Sequence, residues 1–152
     1  TGLADAGFEA AATDTVTFTM DIDGGAFPGD PDETINTGDG ERISYYLTGT
    51  DLIRDIRGNQ LVLAENIDEL DFIYRDENGN GSSSPGDLDE IRMVEVTIVA
   101  RSNRKPFLSD YINDQTYQNL EGDTIFTGHG DHFRRLCLTK TIYCRNMAFE
   151  DI

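Results

Sequence analysis

Between residues 76 and 87 the side chains follow a spacing that fits a hard cation. Asp76-x-Asn78-x-Asn80-Gly81-x5-Asp87 puts oxygen-bearing side chains at positions 1, 3 and 5 of a loop and glycine at position 6. The Ser82 carbonyl would follow at position 7 and a carboxylate at position 12, the pattern of a calcium loop. The chemistry would be calcium coordination by Asp76, Asn78, Asn80, Ser82 and Asp87, with water completing the shell. Asp87 stands where a bidentate Glu is usual and two ligands are uncharged amides, so the expected affinity is weak, roughly 10⁻⁴ to 10⁻³ M. The same residues also make an ordinary solvated hairpin loop, rich in Asn, Gly and Ser, that requires no metal.

Other clusters are thinner. His129-Gly-Asp-His132 offers two imidazoles three residues apart, but no further His or Cys completes a zinc spacing, and a polar loop is the simpler reading. Asp21, Asp23, Asp30 and Asp32 could form a second cation site, although Asp-Gly and Asp-Pro also build turns. Cys137 and Cys144 on one continuous strand would face opposite sides about 23 Å apart at about 3.3 Å per residue, beyond the roughly 7 Å Cα separation a disulfide allows. Export would ordinarily favour pairing them. Strand geometry opposes it unless the chain reverses at Thr139-Lys140-Thr141, which contains no Gly, Pro, Asn or Asp. There is no Gly-x-Ser-x-Gly elbow, phosphate loop, dinucleotide fingerprint or His-Glu-x-x-His. Carboxylates alone do not make a glycosidase, because acid and base need a defined separation. No enzyme is expected.

The elements that would hold these residues are mainly strands. Val16, Phe18, Met20 and Ile22 alternate with polar residues, and Gly24 to Glu41 reads as a loop. Ile43–Leu47, Asp51–Ile56 and Gln60–Ala64 are short β-prone runs at meander spacing. Ala64 to Leu70 has Ile67 and Leu70 three apart, which predicts one helical turn, after which Phe72 and Tyr74 continue with period two. Val94, Val96, Ile98 and Ala100 make the strongest strand pattern. Segment 102–132 reads as a long excursion pinned by Phe107, Tyr111, Tyr117 and Phe126. Phe133 to Arg145 returns to strand character with Leu136, Leu138, Ile142 and Cys144 on one face. The fold class expected is α+β, dominated by antiparallel sheet in a single domain, which suits 152 residues.

The chain holds 12 Lys and Arg against 29 Asp and Glu, a net charge of −17. A phosphate backbone or an anionic membrane would be repelled, so no nucleic-acid partner is expected. All of the excess lies in residues 1–91, where 21 acids face four arginines, whereas residues 92–152 carry eight of each sign. The acidic part reads either as cation binding or as the solvated face of an extracellular or salt-adapted protein. No apolar run approaches the roughly 20 residues that span a bilayer.

Several segments, in order, resemble the C-terminal part of PilW-type minor pilins: Asp14 to Gly25, Ile43-Ser-Tyr-Tyr-Leu47, Leu63-Ala-Glu-Asn-Ile-Asp-Glu-Leu-Asp-Phe-Ile-Tyr-Arg-Asp76, Val94 to Ser102, and Arg134 to Asn146. They cover about half the chain, and the Ala64 to Tyr74 run followed by the Val94 to Ser102 strand is the most specific part. The resemblance implies a pilin-like α+β domain that helps to start or cap a type IV pilus filament. Its partners would be other minor pilins and the major pilin. Its localisation would be a cell-surface, extracellular filament, reached from a periplasmic, inner-membrane-anchored precursor. Pilins carry a prepilin cleavage motif and a long apolar N-terminal helix, and neither occurs in these residues; the expectation is a soluble part that follows such a helix and meets membrane only through it. Minor pseudopilins of type II secretion share the architecture. A calcium-dependent extracellular binding or adhesion module is the reading from a different class.

Overall fold

The computed structural model describes residues 6–22, 29, 32–36, 38, 40–104 and 110–144. The first five strands are β1 (Phe8–Ala11), β2 (Thr15–Thr19), β3 (Arg42–Thr48), β4 (Asp51–Ile56) and β5 (Asn59–Ala64). They form an antiparallel meander in chain order. Its turns explain its registers. Thr48 pairs with Asp51 across Gly49-Thr50, and Ile56 with Asn59 across Arg57-Gly58. Gly49 has φ 63°, and Arg57 and Gly58 have φ 61° and 81°, the positive values that match a two-residue hairpin loop to strand twist.

A second sheet of four strands has the order β11-β8-β6-β7, built from β6 (Ile67–Arg75), β7 (Gly81–Ser82), β8 (Met93–Arg101) and β11 (Arg135–Tyr143). Between β8 and β11 the chain makes the hairpin β9 (Thr116–Gln118) and β10 (Thr124–Thr127), so the excursion expected from its aromatics contains regular structure. Tyr117 and Phe126 do meet, with ring centroids 6.2 Å apart. Phe107 lies outside the described residues, as does most of 23–31 in the loop expected before β3.

The expectation of a pilin-like α+β fold is corrected in both parts: no helix occurs among the described residues, and the fold is all-β with antiparallel sheets. The helical turn expected from Ile67 and Leu70 is instead the start of β6. Asn66 takes φ 62° and turns the corner out of β5, which a helical turn cannot accommodate. Ile67 pairs with Ala100 and Glu69 with Val99, so Asp68 is an extra residue in the ladder. That bulge puts Ile67 and Leu70 on the same face although they are three apart, which a regular strand would forbid. A spacing that imitates a helix is here the trace of a β-bulge.

One face of the second sheet packs against the meander. Val16, Leu70, Phe72, Tyr74, Ile91 and Val94 form the buried cluster, with Phe8, Phe18, Tyr45, Leu47 and Leu52 against it. Tyr74 buries its ring there and donates its hydroxyl to the carbonyls of Ala12 (2.9 Å) and Thr15 (3.1 Å). Those bonds tie the β1–β2 corner to β6. The opposite face is met by the β9–β10 region, where the Asn119 amide donates to the buried Asp71 carboxylate at 3.1 Å.

Candidate functional site

The cation-spaced loop begins where β6 ends. Asp76 uses its carboxylate to close that loop on itself: Oδ1 accepts the backbone N–H of Asn78 (2.8 Å) and of Asn80 (2.9 Å), and Oδ2 accepts the Asn80 side-chain amide (2.8 Å). Hydrogen bonds from Asn80 hold this carboxyl below its ordinary pKa. Gly79, at φ 83°, lets the turn close, and its carbonyl accepts from Arg75 at 2.8 Å. Arg75 in turn forms a two-pronged pair with Glu95 (2.8 and 3.0 Å) and contacts Glu121.

Ser82 lies on β7 opposite Tyr74, and its hydroxyl accepts the Ser84 N–H at 3.1 Å. Exposed Asp87 accepts the N–H of Asp89 at 3.0 Å. Beside Asp76 is an open cleft of about 170 Å³, lined by Asp76, Glu77, Asn78, Glu90 and Arg92. The structure thus brings Asp76 and Asn78 to one cleft, whereas Asn80, Ser82 and Asp87 do not line it. Among the described residues no three carboxylate, His or Cys side chains converge as a metal group.

The other clusters are absorbed by structure. His132 Nδ1 lies 2.7 Å from the Tyr111 carbonyl, and His129 meets the Phe126 ring edge at 5.8 Å. Asp131 between them belongs to Arg135. Asp21 accepts the N–H groups of Asp32 (3.1 Å) and Glu33 (2.7 Å), as a loop-closing side chain does. Asp23 and Asp30 lie outside the described residues. Cys137 and Cys144 are free thiols, and burial raises both above the ordinary thiol pKa.

Two features go beyond the sequence reading, which places Leu136, Leu138 and Ile142 on one face but does not give their exposure. The first is a buried ion network at the β8 and β11 ends. Arg135, 2% exposed, donates to Asp68 (2.6 Å) and with both terminal nitrogens to Asp131 (2.8 and 2.6 Å). Arg101 adds a third pair with Asp68 at 3.1 Å. These charge-assisted bonds pull Asp131 down to about 2. The bulge at Asp68 aims its carboxylate into the network, and only the i, i+4 spacing of Asp131 and Arg135 hints at it in the sequence.

The second feature is a bare apolar face. The register lines up Leu70, Ile98 and Leu138 in one row, and Tyr74, Val94 and Ile142 in another, across β6, β8 and β11. Directly paired residues share a face. Burial falls along each row: Leu70 is 1% exposed, whereas Leu138 is 52% exposed, and Leu136 and Ile142 are 58% and 51% exposed. The meander covers β6 and half-covers β8, and no described residue covers the same face of β11. Lys140, paired with Val96, stands on the same face between Leu138 and Ile142, and exposed apolar side chains grouped in this way mark a contact site more often than single ones do.

Comparison with protein-family models, with characterised proteins and with solved structures finds no match for this chain.

Proposed function

We propose that this domain is an assembly subunit that acts through protein–protein contacts, as the PilW-type resemblance implies: a minor pilin that helps to initiate or cap a type IV pilus among other minor pilins and the major pilin. The observation that carries the reading is the bare face of Leu136, Leu138 and Ile142 beside half-buried Val96 and Ile98. An apolar helix of the kind pilins carry would bury those side chains at about 25 cal/mol per Å². The stripe belongs to the charge-balanced part of the chain, away from the residues that hold the −17.

The test is a double variant, Leu136→Asp with Ile142→Asp, put in place of the natural gene. Because both side chains are more than half exposed, its melting temperature should stay within a few degrees of the parent while surface pili are lost. Normal piliation would defeat the reading. Intact pili with lost protein secretion would point to a type II secretion pseudopilin instead. Calcium-dependent adhesion is the rival from another class, and it stands or falls with the Asp76 loop.

A further inference from the structure

Asparagine followed by glycine is a reactive pair, because glycine has no side chain to keep its backbone nitrogen away from the carboxamide carbon that precedes it. The chain has two such pairs, Asn78-Gly79 and Asn80-Gly81, side by side in the loop that leaves β6. Both asparagines have the same following residue, so the fold decides between them.

Asn80 is held at both reacting ends. Its side-chain nitrogen donates to Asp76 Oδ2 at 2.8 Å, its backbone N–H to Asp76 Oδ1 at 2.9 Å, and its carbonyl accepts the Asp76 N–H at 3.2 Å. Gly81, which would supply the attacking nitrogen, belongs to β7. A Cβ added there would stand 2.8 Å from Glu121 Oε1 and 3.2 Å from both Arg75 Nη1 and Ile73 Cγ2. Backbone packed this closely resists the rotation that would bring its nitrogen onto the Asn80 carboxamide.

Asn78 has freedom at both ends. It is exposed, it lines the open cleft beside Asp76, and its side-chain amide has no hydrogen bond among the described residues. Gly79 is a turn residue at φ 83°, with nothing within 4 Å of the place a Cβ would take. Its N–H is held by one bond, to the Asp76 carbonyl at 3.1 Å. A single turn bond at the surface opens by local fraying that leaves the sheet intact.

We propose that Asn78 is a site of spontaneous deamidation, and that the fold directs this reaction to Asn78 and away from Asn80. The Gly79 nitrogen gives up its proton and bonds to Asn78 Cγ. The Cγ–Nδ2 bond breaks, and the side-chain nitrogen leaves with that proton as ammonia, so that a succinimide ring remains. Water then opens the ring at either carbonyl. One opening gives an aspartate at this position, and the other an isoaspartate whose main chain runs through the former side chain. Either product adds one negative charge to the −17, in a cleft that already holds Asp76, Glu77 and Glu90 against one cation, Arg92. The isoaspartate also puts an extra carbon into backbone that the Asp76 carboxylate closes, which loosens the loop. The inference does not depend on the pilus reading.

The experiment incubates the purified chain at mildly alkaline pH, folded and in concentrated urea. It follows the tryptic peptide from Asp76 to Arg92, which contains both asparagines, by mass spectrometry with fragmentation. In the folded protein, conversion at Asn78 should outrun conversion at Asn80 by at least about fivefold, with isoaspartate among the products. In urea the two should convert at similar rates. Asp76→Ala frees the Asn80 side chain, and Glu121→Ala opens the space over Gly81 while leaving Asp76 in place. With folding checked by circular dichroism, the lead of Asn78 should shrink in each. A folded parent that converts Asn80 first or both alike would overturn the proposal. So would a folded parent that converts neither while the chain in urea converts both, or a lead unchanged in both folded variants. Aspartate with no isoaspartate at position 78 would show direct hydrolysis and overturn the succinimide route.

Discussion

β6 and β11 are both nine residues long, both antiparallel to β8, and both place alternate apolar side chains on the same face of one sheet. One is the most buried strand of the molecule and the other among the most exposed. Leu70, Phe72 and Tyr74 lie under the meander, and the β1–β2 corner closes the edge of β6. Leu136, Leu138 and Ile142 are more than half exposed, and among the described residues no strand pairs with the outer edge of β11. Alternation therefore specifies which side chains share a face, while burial of that face is decided by segments far away in the chain. The single deep anchor of β11 is Arg135, and its partners come from β6 and from Asp131.

The contrast breaks most sharply at its two leucines. Leu70→Ala should cost about 2–5 kcal/mol, because it empties a fully packed site. Leu138→Ala, in the same cross-strand row, should stay within about 0.5 kcal/mol, as surface changes usually do. Urea unfolding of both variants measures the difference. Comparable losses would mean that the face of β11 is covered in the folded protein. The tyrosines repeat the comparison at smaller scale. Tyr74→Phe takes the hydroxyl donor from the part-buried Ala12 carbonyl, while the Thr15 carbonyl keeps the Ala12 N–H, and should cost about 1 kcal/mol. Tyr143→Phe alters a side chain that is 68% exposed, and should leave the unfolding midpoint within error.

Much of the sheet was legible in the sequence. Turn residues between Leu47 and Asp51 and between Ile56 and Gln60 delimit β3, β4 and β5, and period-two alternation finds β2, β8 and β11. The single helical turn expected over Ala64 to Leu70 failed for a definite reason: spacing of three is shared by a helical turn and by a strand with one inserted residue, and only the partner strand distinguishes them. The cover over β6, and the exposure of β11 among the described residues, were invisible for the same reason, since both are set by long-range contacts. The ligand pattern at 76–87 was legible as composition. That Asp76 would spend its oxygens on Asn78 and Asn80 depends on side-chain rotamers that spacing does not encode.

The anchor of β11 is pH-dependent, with a sign set by its carboxylates. Asp131 is lowered to about 2, chiefly by its hydrogen bonds from Arg135, against about 3.9 in an unfolded chain. Its contribution is thus fully present above about pH 4 and is lost as pH falls toward 2. Glu69 and Asp71 are raised, first by burial, so each stabilises the fold at low pH and loses that contribution as pH rises through its folded value. Asp131→Asn should cost about 1–2 kcal/mol at pH 7, discounted for partial exposure, and a steadily smaller amount as pH falls from about 4 through about 2. A pH series of melts for parent and variant reads this directly. A gap that does not narrow on acidification would show that Asp131 acts by shape and not by charge.

The smallest expected effect lies at the other end of β6. If the loop from Asp76 to Asp87 were a calcium site, metal at about 100 times its dissociation constant would add roughly 2.7 kcal/mol to a folded state that alone binds it. Asp76 is the first ligand of that scheme, yet two backbone N–H groups and the Asn80 amide already occupy its oxygens. Arg92 also lines the cleft beside it, a cation where a cation would bind. Loop closure by hydrogen bonds accounts for the carboxylate without a metal. The expected outcome is a melting temperature that is the same in millimolar calcium and in chelator, at fixed ionic strength so that screening of the −17 does not mimic binding. Asp76→Ala should lower it equally in both. A calcium-dependent rise that disappears in Asp76→Ala and shrinks in Asp87→Asn would instead restore the ligand set Asp76, Asn78, Asn80, Ser82 and Asp87. It would also mean that the amide of Asn80 turns over to present its oxygen, because the nitrogen now facing Asp76 cannot ligate a hard cation.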